Sequence, residues 1–305
     1  MKYNKLATNT NTTGFGSFFG QKVKDYKALV KFRLALSVVF SACTAFYLGV
    51  ETFFWSELLI LGLGGFFVTA SANALNQVLE KETDKLMART QNRPLPAGRM
   101  ETSEAVLLAG ILGAGGILML AYFNPVTAVL GAFSLVSYAF IYTPMKRVSP
   151  AAVWIGAVPG ALPMAIGWVA ASSTGTIGIE AIFLFSLQFI WQFPHFWAIA
   201  WLSYEDYAKA GFYLLPTNQK DGRTKGTVLQ IILYIVFLIA ISFAPLYLQI
   251  SGLVACIVML VCGVIFLWYG IKLYQKCNKI AARQLMFASL FYQLIVFITL
   301  MIDKI

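Results

Sequence analysis

The sequence is poor in charged residues, which make up 12% of its 305 positions, roughly half the share found in soluble globular domains. Hydrophobic residues make up 59%, and the mean hydropathy is +0.74. Too little polar sequence remains between apolar runs of about 20 residues to cover a soluble domain. The composition therefore excludes a soluble globular protein and predicts one polytopic membrane domain.

Cysteine and histidine are also scarce, with four cysteines and one histidine. No two cysteines have the close spacing of a CxxC metal or redox motif. All four lie in or beside apolar segments, and we interpret them as small buried hydrophobic residues. They are Cys43, Cys256, Cys262 and Cys277.

The long apolar segments have the length of transmembrane helices, and the ten-residue alternating pattern of a membrane barrel is missing. Backbone amides need internal partners in lipid, so helices are the expected spans. Residues 1–20 are polar and lack the apolar core of a signal peptide. We expect them to form a disordered tail before a single all-α domain at 21–305. Its nine transmembrane helices are predicted at 34–50, 58–79, 104–122, 125–142, 151–171, 178–202, 227–248, 253–271 and 284–302.

Basic residues lie almost entirely on one side of these predicted spans. Of the 23 lysines and arginines, 22 fall in the amino-terminal segment and in alternate loops, and only Lys304 falls on the other side. The positive-inside rule then places the amino terminus in the cytoplasm. We attribute the net charge of +10 to topology rather than to nucleic-acid binding. Because no Arg-rich transit segment precedes the first helix, a bacterial inner membrane is the expected location, with the polar chemistry on the cytoplasmic side.

An oxygen-rich stripe marks the inner end of the second predicted helix. Asn76, Glu80 and Asp84 are four residues apart, so on a helix they share one face. The two carboxylates repel each other there, and all three groups lose solvation, unless a cation lies between them; Mg²⁺ is the natural candidate. An ordinary solvated helix end is the alternative interpretation.

Arginines follow this stripe in the same loop. Arg89 and Arg93 lie close to Pro94, whose stiff surroundings can fix the position of a guanidinium group. Arginine binds phosphate oxygens with two parallel hydrogen bonds. An Arg cluster next to a carboxylate-bound Mg²⁺ is the arrangement that a diphosphate requires.

Two further groups are predicted on the same side. Tyr142 and Lys146 are four residues apart at the end of the fourth helix, and Lys146 has the reach to neutralise a phosphate. Lys146 and Arg147 can equally be plain positive-inside anchors. After the sixth helix, Glu205 and Asp206 can serve a metal or the diphosphate. Adjacent helical residues point about 100° apart, so only one contributes directly, and we favour Asp206.

His195 is the only histidine and lies in an apolar helix. Its residue type and apolar position allow a proton carrier or a buried packing donor. A third interpretation, ligation of haem iron, comes from the family resemblance given below.

These motifs resemble the intramembrane UbiA-type prenyltransferases, and among them the haem O synthase branch. The stripe Asn76-xxx-Glu80-xxx-Asp84 is similar to the family's first Asn-xxx-Asp-xxx-Asp motif. The resemblance extends over roughly 25–302. It is carried further by Met87 to Leu95, Tyr142 to Arg147, Pro194 to Trp197, Asp206 to Gly211, and Leu215-Pro216.

The resemblance implies transfer of a farnesyl group from farnesyl diphosphate to a vinyl group of haem B in the lipid bilayer. It also implies Mg²⁺ as the cofactor and a haem A synthase as a partner. The implied metal ligands are Asn76, Glu80, Asp84, Asp206 and Glu205. The implied diphosphate-binding residues are Arg89, Arg93, Lys146, Arg147 and Arg33, with Tyr142 also in the catalytic set and His195 and Trp197 at the haem.

The sequence departs from the family pattern at several positions. Glu80 replaces the usual aspartate and keeps the charge, and Phe32 stands where a proline is common. His195 and Trp197 stand near the place where quinone-directed relatives have widely spaced aspartates, which favours haem as the acceptor. Two alternatives stay open: a prenyltransferase for a quinone or aromatic acceptor, and a membrane transporter. Transporters usually place ionisable residues near the bilayer midplane, whereas here they gather at one face.

Overall fold

The computed structural model describes residues 15–216 and 222–305, and in these ranges it is helical apart from turns and one isolated bridge. A π-helical turn, Ser137–Tyr142, joins α6 to α7. The helices are α1 Phe15–Leu29, α2 Phe32–Gly49, α3 Trp55–Leu79, α4 Lys81–Asp84, α5 Thr102–Ala121, α6 Pro125–Val136, α7 Thr143–Met145, α8 Ala152–Ala171, α9 Ile179–Leu202, α10 Tyr204–Lys209, α11 Lys225–Ala240, α12 Ala244–Tyr247, α13 Leu253–Lys276 and α14 Lys279–Ile302.

Nine segments of the described chain are long and apolar enough to cross a membrane. They are α2, α3, α5, α6 with α7, α8, α9, α11 with α12, α13 and α14. The prediction of an all-α bundle with nine spans is therefore confirmed. The largest shift is at the last hairpin, where α13 continues to Lys276 and α14 already begins at Lys279, because Asn278 caps α14 by accepting a hydrogen bond from the Ala281 amide at 2.9 Å.

The amino-terminal boundary differs from the prediction. Helix α1 begins at Phe15, so residues 15–20 of the expected disordered tail are helical. Residues 1–14 lie outside the described part of the chain.

Two side-chain amides of α3 donate hydrogen bonds to the junction between α1 and α2. Gln77 donates to the backbone carbonyls of Ala28 and Leu29, and Asn73 donates to that of Val30 at 3.1 Å. The next residue, Lys31, has φ 49° and ψ 55°, a left-handed conformation that is costly for a residue with a side chain. These buried hydrogen bonds hold the chain in that conformation and fix the direction of the Lys31 side chain.

Helix α8 lies at the centre of the bundle, with 67% of its span buried inside the protein. Its glycines allow close approach: the face of Gly167 lies directly against the backbone carbonyl of Ala42 in α2. At the other end of α8, a Cβ on Gly156 would lie 2.5 Å from Cε2 of Tyr142. Gly156 therefore makes room for the Tyr142 ring.

The carboxyl-terminal residues fasten the far end of the bundle. Lys304 donates to the backbone carbonyls of Tyr47 and Val50, the last of which follows α2. The Asp303 carboxylate accepts a hydrogen bond from the Ala255 amide at 2.7 Å, which satisfies the first turn of α13. Helices α2, α13 and α14 are thus tied together at the end opposite Lys31 and the α3 carboxyl end.

Candidate functional site

A cavity of about 190 Å³ opens at the end of the bundle where α3 and α7 terminate. Segments after α4 and α10 complete its wall. Seven of the residues predicted for the site line it: Asn76, Glu80, Asp84, Arg89, Arg93, Tyr142 and Lys146. The structure thus brings these seven residues together around one cavity.

The spacing predicted that the three oxygen-bearing residues lie on one continuous helix, but the helix is broken between them. Helix α3 ends at Leu79, and Glu80 adopts φ −97° and ψ 8° before the short α4. The hydrogen bonds from Glu80 N to Asn76 O, 2.9 Å, and from Asp84 N to Glu80 O, 2.7 Å, nevertheless carry the four-residue repeat across the break. Asn76, Glu80 and Asp84 therefore still face the same cavity.

Both carboxylates are buried and paired with cations. Lys146 Nζ lies 2.8 Å from Glu80 Oε1, and Arg93 Nη1 lies 2.7 Å from Asp84 Oδ2. Desolvation alone would lower the pKa of Lys146, but the charge of Glu80, the nearby Tyr138 and the hydrogen bond to Glu80 together outweigh it, so the pKa is raised and the lysine stays charged. The second carboxylate oxygen of Asp84, Oδ1, is buried and has no hydrogen-bond partner.

Lys31 is a cavity residue that the predicted site did not include. Its Nζ donates to Asn76 Oδ1 at 2.8 Å and lies 3.5 Å from the Tyr138 hydroxyl. Desolvation, followed by the nearby charges of Arg93 and Lys146, lowers the pKa of Lys31 to about 7. Arg33, predicted instead, is exposed and does not line the cavity. The left-handed backbone conformation of Lys31 explains why Lys31 and not Arg33 lines the cavity. No local sequence pattern predicts this conformation.

Aromatic rings form the apolar side of the cavity. The centroids of Tyr138 and Tyr142 lie 5.4 Å apart, and Lys146 Nζ lies 4.6 Å from the centroid of Tyr142. From the segment after α9, Tyr207 lies 5.8 Å from the Arg89 guanidinium carbon, and Phe212 lies 5.8 Å from Lys146 Nζ. The cavity thus combines oxygen ligands, four basic side chains and aromatic faces, a set that can hold an anion joined to an apolar chain.

Comparisons with known proteins agree with this combination. Residues 36–295 match the UbiA prenyltransferase family. The chain belongs to this family. It is 43% identical over 286 residues to the protohaem IX farnesyltransferase of Christiangramia forsetii, covering 92% of this chain and 94% of that protein. It is 45% identical over 282 residues to the protohaem IX farnesyltransferase of Cytophaga hutchinsonii, covering 92% and 97%.

Solved structures share the UbiA fold with this chain. A structure from work on digeranylgeranylglyceryl phosphate synthase has a TM-score of 0.77 at 19% identity and covers 93% of this chain and 98% of its own. A UbiA homologue from Archaeoglobus fulgidus bound to GPP and Mg²⁺ has a TM-score of 0.65 at 16% identity, covering 90% and 99%. At these identities the likeness concerns the fold.

In this UbiA chain, the second predicted acidic position lies outside the cavity. Glu205 is half-exposed and pairs with Arg223 at 2.7 Å and with Lys279 at 3.0 Å. Its own backbone amide, then Lys279 and Arg223, lower its pKa to about 2. Asp206 lies 3.8 Å from Lys209 and does not line the cavity either. Glu205 and Asp206, predicted to serve a metal or the diphosphate, thus lie outside the cavity that contains Asn76, Glu80 and Asp84.

Arg147 is exposed and lies beside the cavity rather than in its wall. It donates to Thr83 Oγ1 at 3.1 Å, which attaches the end of α7 to α4. Its position fits an anchoring contact between the two segments that carry Lys146 and Glu80.

The two residues predicted at the haem differ in their surroundings. Trp197 is completely buried among Trp154, Phe193 and Tyr234, with ring centroids about 5.5 Å away, and it belongs to the bundle core. His195 is partly exposed and faces α14. Neither residue lines the cavity.

Proposed function

We propose that this protein is a protohaem IX farnesyltransferase, which joins the farnesyl group of farnesyl diphosphate to a vinyl group of haem B and forms haem O. Support comes from relatives at 43–45% identity over nearly the whole chain that carry this name. The observation that carries the chemistry is the single cavity in which Asn76, Glu80 and Asp84 meet Arg93 and Lys146.

The reaction requires a place for departing negative charge. The allylic C–O bond breaks, and its electron pair leaves with the diphosphate. The vinyl group forms the new C–C bond, and the resulting cation takes up water and releases a proton, which leaves a hydroxyl group. Lys31, Arg89, Arg93 and Lys146 are positioned to bind the diphosphate oxygens and to stabilise the charge that develops there.

The oxygen ligands fit Mg²⁺. No three His, Cys, Asp or Glu side chains cluster as a metal site within the described ranges, so the protein offers two carboxylates and one amide. Mg²⁺ is commonly bound by one or two carboxylates plus substrate phosphates and waters. The buried Oδ1 of Asp84 has no hydrogen-bond partner and can serve as one of these ligands. We assign Asn76, Glu80 and Asp84 to hold it, and when bound it supplies Lewis-acid stabilisation of the leaving group.

The aromatic wall protects the reacting centre. Tyr138 and Tyr142 present ring faces on the side of Lys146, where they exclude water and stabilise a passing allylic cation. The apolar spans beside the cavity leave the farnesyl chain in contact with lipid.

We also propose that the cavity faces the cytoplasm of a bacterial inner membrane. The cavity lies at the end of the bundle that carries Lys31, Arg93 and Lys146, and 19 of the 20 basic residues in the described ranges lie on that side of the spans. Cysteine labelling at an introduced position after α10 and at Lys304, in intact cells, tests this orientation.

Extraction of haems from cells with and without the protein tests the function. We expect a later-eluting, farnesylated haem only in cells that contain the protein. Membranes supplied with farnesyl diphosphate and either haem B or a 4-hydroxybenzoate-type acceptor provide the matched comparison. A farnesylated aromatic acid beside unchanged haem would refute the proposal in favour of an aromatic acceptor. A Glu80→Gln variant that still moves a substrate across vesicles would favour a carrier.

A further inference from the structure

His195 is held on the surface of α14 by a tightly ordered set of contacts. Its Nδ1 lies 2.7 Å from Ser289 Oγ. Its ring stacks on Trp191, with the centroids 4.8 Å apart and the planes 16° from parallel. Trp191 Nε1 in turn donates to the backbone carbonyl of Ser289 at 2.8 Å. Both rings are thus fixed against the same turn of α14.

The direction of the hydrogen bonds determines the histidine tautomer. A serine hydroxyl carries one hydrogen, and that of Ser289 is donated to the Met286 carbonyl at 2.6 Å. Ser289 Oγ must then accept from His195 Nδ1–H. The proton of the neutral ring is on Nδ1, so Nε2 carries a free lone pair.

The free nitrogen has no hydrogen-bond partner in the described part of the chain. Nε2 makes no hydrogen bond with any residue in the described ranges, and the ring is partly exposed. The neighbouring Phe196 is 37% exposed, which leaves an apolar surface beside the imidazole. Packing alone requires neither a fixed tautomer nor an open nitrogen.

We propose that His195 Nε2 is the axial ligand of the iron of the haem acceptor, and that Ser289 positions it. This inference rests on the proposed function for the identity of the porphyrin. Histidines that bind metals typically donate their other ring N–H to a protein acceptor, which fixes the tautomer and strengthens the ligand. Here Ser289 is that acceptor, and Trp191 fixes the ring plane. A neutral imidazole with a free Nε2 is a usual axial ligand of haem iron.

The depth of His195 suits an acceptor that must meet the cavity. Helix α9 ends at Leu202, seven residues after His195, so the ring lies roughly 10 Å from that end of the helix at 1.5 Å per residue. Tyr207, which lines the cavity, follows shortly after that end. A porphyrin bound at His195 would therefore lie in the half of the span nearer the end of the bundle where the diphosphate site opens.

Resonance Raman spectroscopy of the purified protein with ferrous haem B tests the ligation. His195 is the only histidine, so with a histidine-free affinity tag any iron–histidine stretching band comes from this residue. We expect the band in the wild type and in Lys304→Met, a control at the far end of the bundle. We expect it to be lost in His195→Ala and His195→Gln. Free imidazole should restore an iron–imidazole band on the haem that co-elutes with His195→Ala in size-exclusion chromatography, and a thermal unfolding transition like that of the wild type would show that this variant is folded.

Ser289→Ala separates ligation from packing. Loss of the Nδ1 acceptor should weaken haem binding by about tenfold or more and lower the frequency of the iron–histidine band while the band itself persists. An unchanged band in Ser289→Ala would refute the positioning role. A wild type that makes haem O without an iron–histidine band would refute the ligation and leave the function standing. A His195-dependent band in a protein that farnesylates no haem would support the ligation and refute the proposed function.

Discussion

Substitution of Gly156 by alanine tests whether the position of Tyr142 matters for farnesyl transfer. The added Cβ would lie 2.5 Å from Tyr142 Cε2 and 2.6 Å from Cδ2. Ordinary carbon contacts are about 3.5–4.0 Å long, so the ring must retreat by about 1 Å. Overpacking of this kind typically costs about 1–3 kcal/mol of stability. A misplacement of about 1 Å at a reacting centre can cost roughly 100-fold in rate. We expect Gly156→Ala to lower kcat by one to two orders of magnitude.

The assay is the initial rate of farnesylated haem formation by purified protein in detergent, with thermal unfolding measured in parallel. Gly110→Ala is the matched control, because it also adds a methyl group to a glycine in a membrane helix and has no atom within 4 Å of the added Cβ. A second control is the Tyr142→Ala background, which removes the obstructing ring. There, the additional effect of Gly156→Ala should disappear, so the two changes show coupling in a double-mutant cycle.

Two results would contradict this reasoning. Wild-type kcat and KM in Gly156→Ala would mean that the position of the Tyr142 ring is not limiting. A loss that persists undiminished in the Tyr142→Ala background would mean that α8 itself, and not the ring, is disturbed.

Three further predictions concern the charged groups. Glu80→Gln should raise the Mg²⁺ concentration needed for half-maximal rate and lower kcat at least 100-fold. The reason is that it removes one proposed metal ligand and the charge that pairs with Lys146. An unchanged Mg²⁺ titration would argue against Glu80 as a metal ligand. Glu205→Gln should leave that titration unchanged, because Glu205 binds Arg223 and Lys279 outside the cavity, and a shift would restore it as a metal ligand. Lys304→Met should lower the free energy of unfolding by about 1–3 kcal/mol, because two hydrogen bonds are lost, and should leave KM unchanged. A change in KM would show that the Lys304 end of the bundle is coupled to the cavity end.

The fold could be predicted largely because lipid leaves few choices. Runs of about 20 apolar residues must be helical, and the start of one span is visible in the sequence as Asn124-Pro125. The cap at Asn278 was missed, which is why the predicted last helix began too late. Helix α1 was missed because its polar surface carries no span-length apolar pattern. Its place depends on the contacts that Asn73 and Gln77 make with its last residues and the following junction, and these are tertiary.

The site could be predicted where its residues are near in sequence. The repeat of Asn76, Glu80 and Asp84 is readable as spacing, although the break at Glu80 is not. Lys31 and Glu205 mark the limit of this approach. Lys31 reaches the cavity because its backbone is in an unusual conformation. Glu205 forms an ion pair outside the cavity with Lys279, which lies more than 70 positions later in the sequence. Neither contact leaves a local pattern.

The π-helical turn Ser137–Tyr142 sets the direction in which the end of the fourth span faces. A π turn accommodates one extra residue in an α-helix, and each helical residue turns the chain by about 100°. If the same residues formed an uninterrupted α-helix, the residues after the turn would rotate by roughly this angle, and Lys146 would point away from Glu80 although the sequence length and hydropathy were unchanged. Substitutions that favour regular α-helical winding here should therefore break the Lys146–Glu80 pair without replacing either residue. Directed evolution of the acceptor range should accordingly keep the winding of this stretch intact.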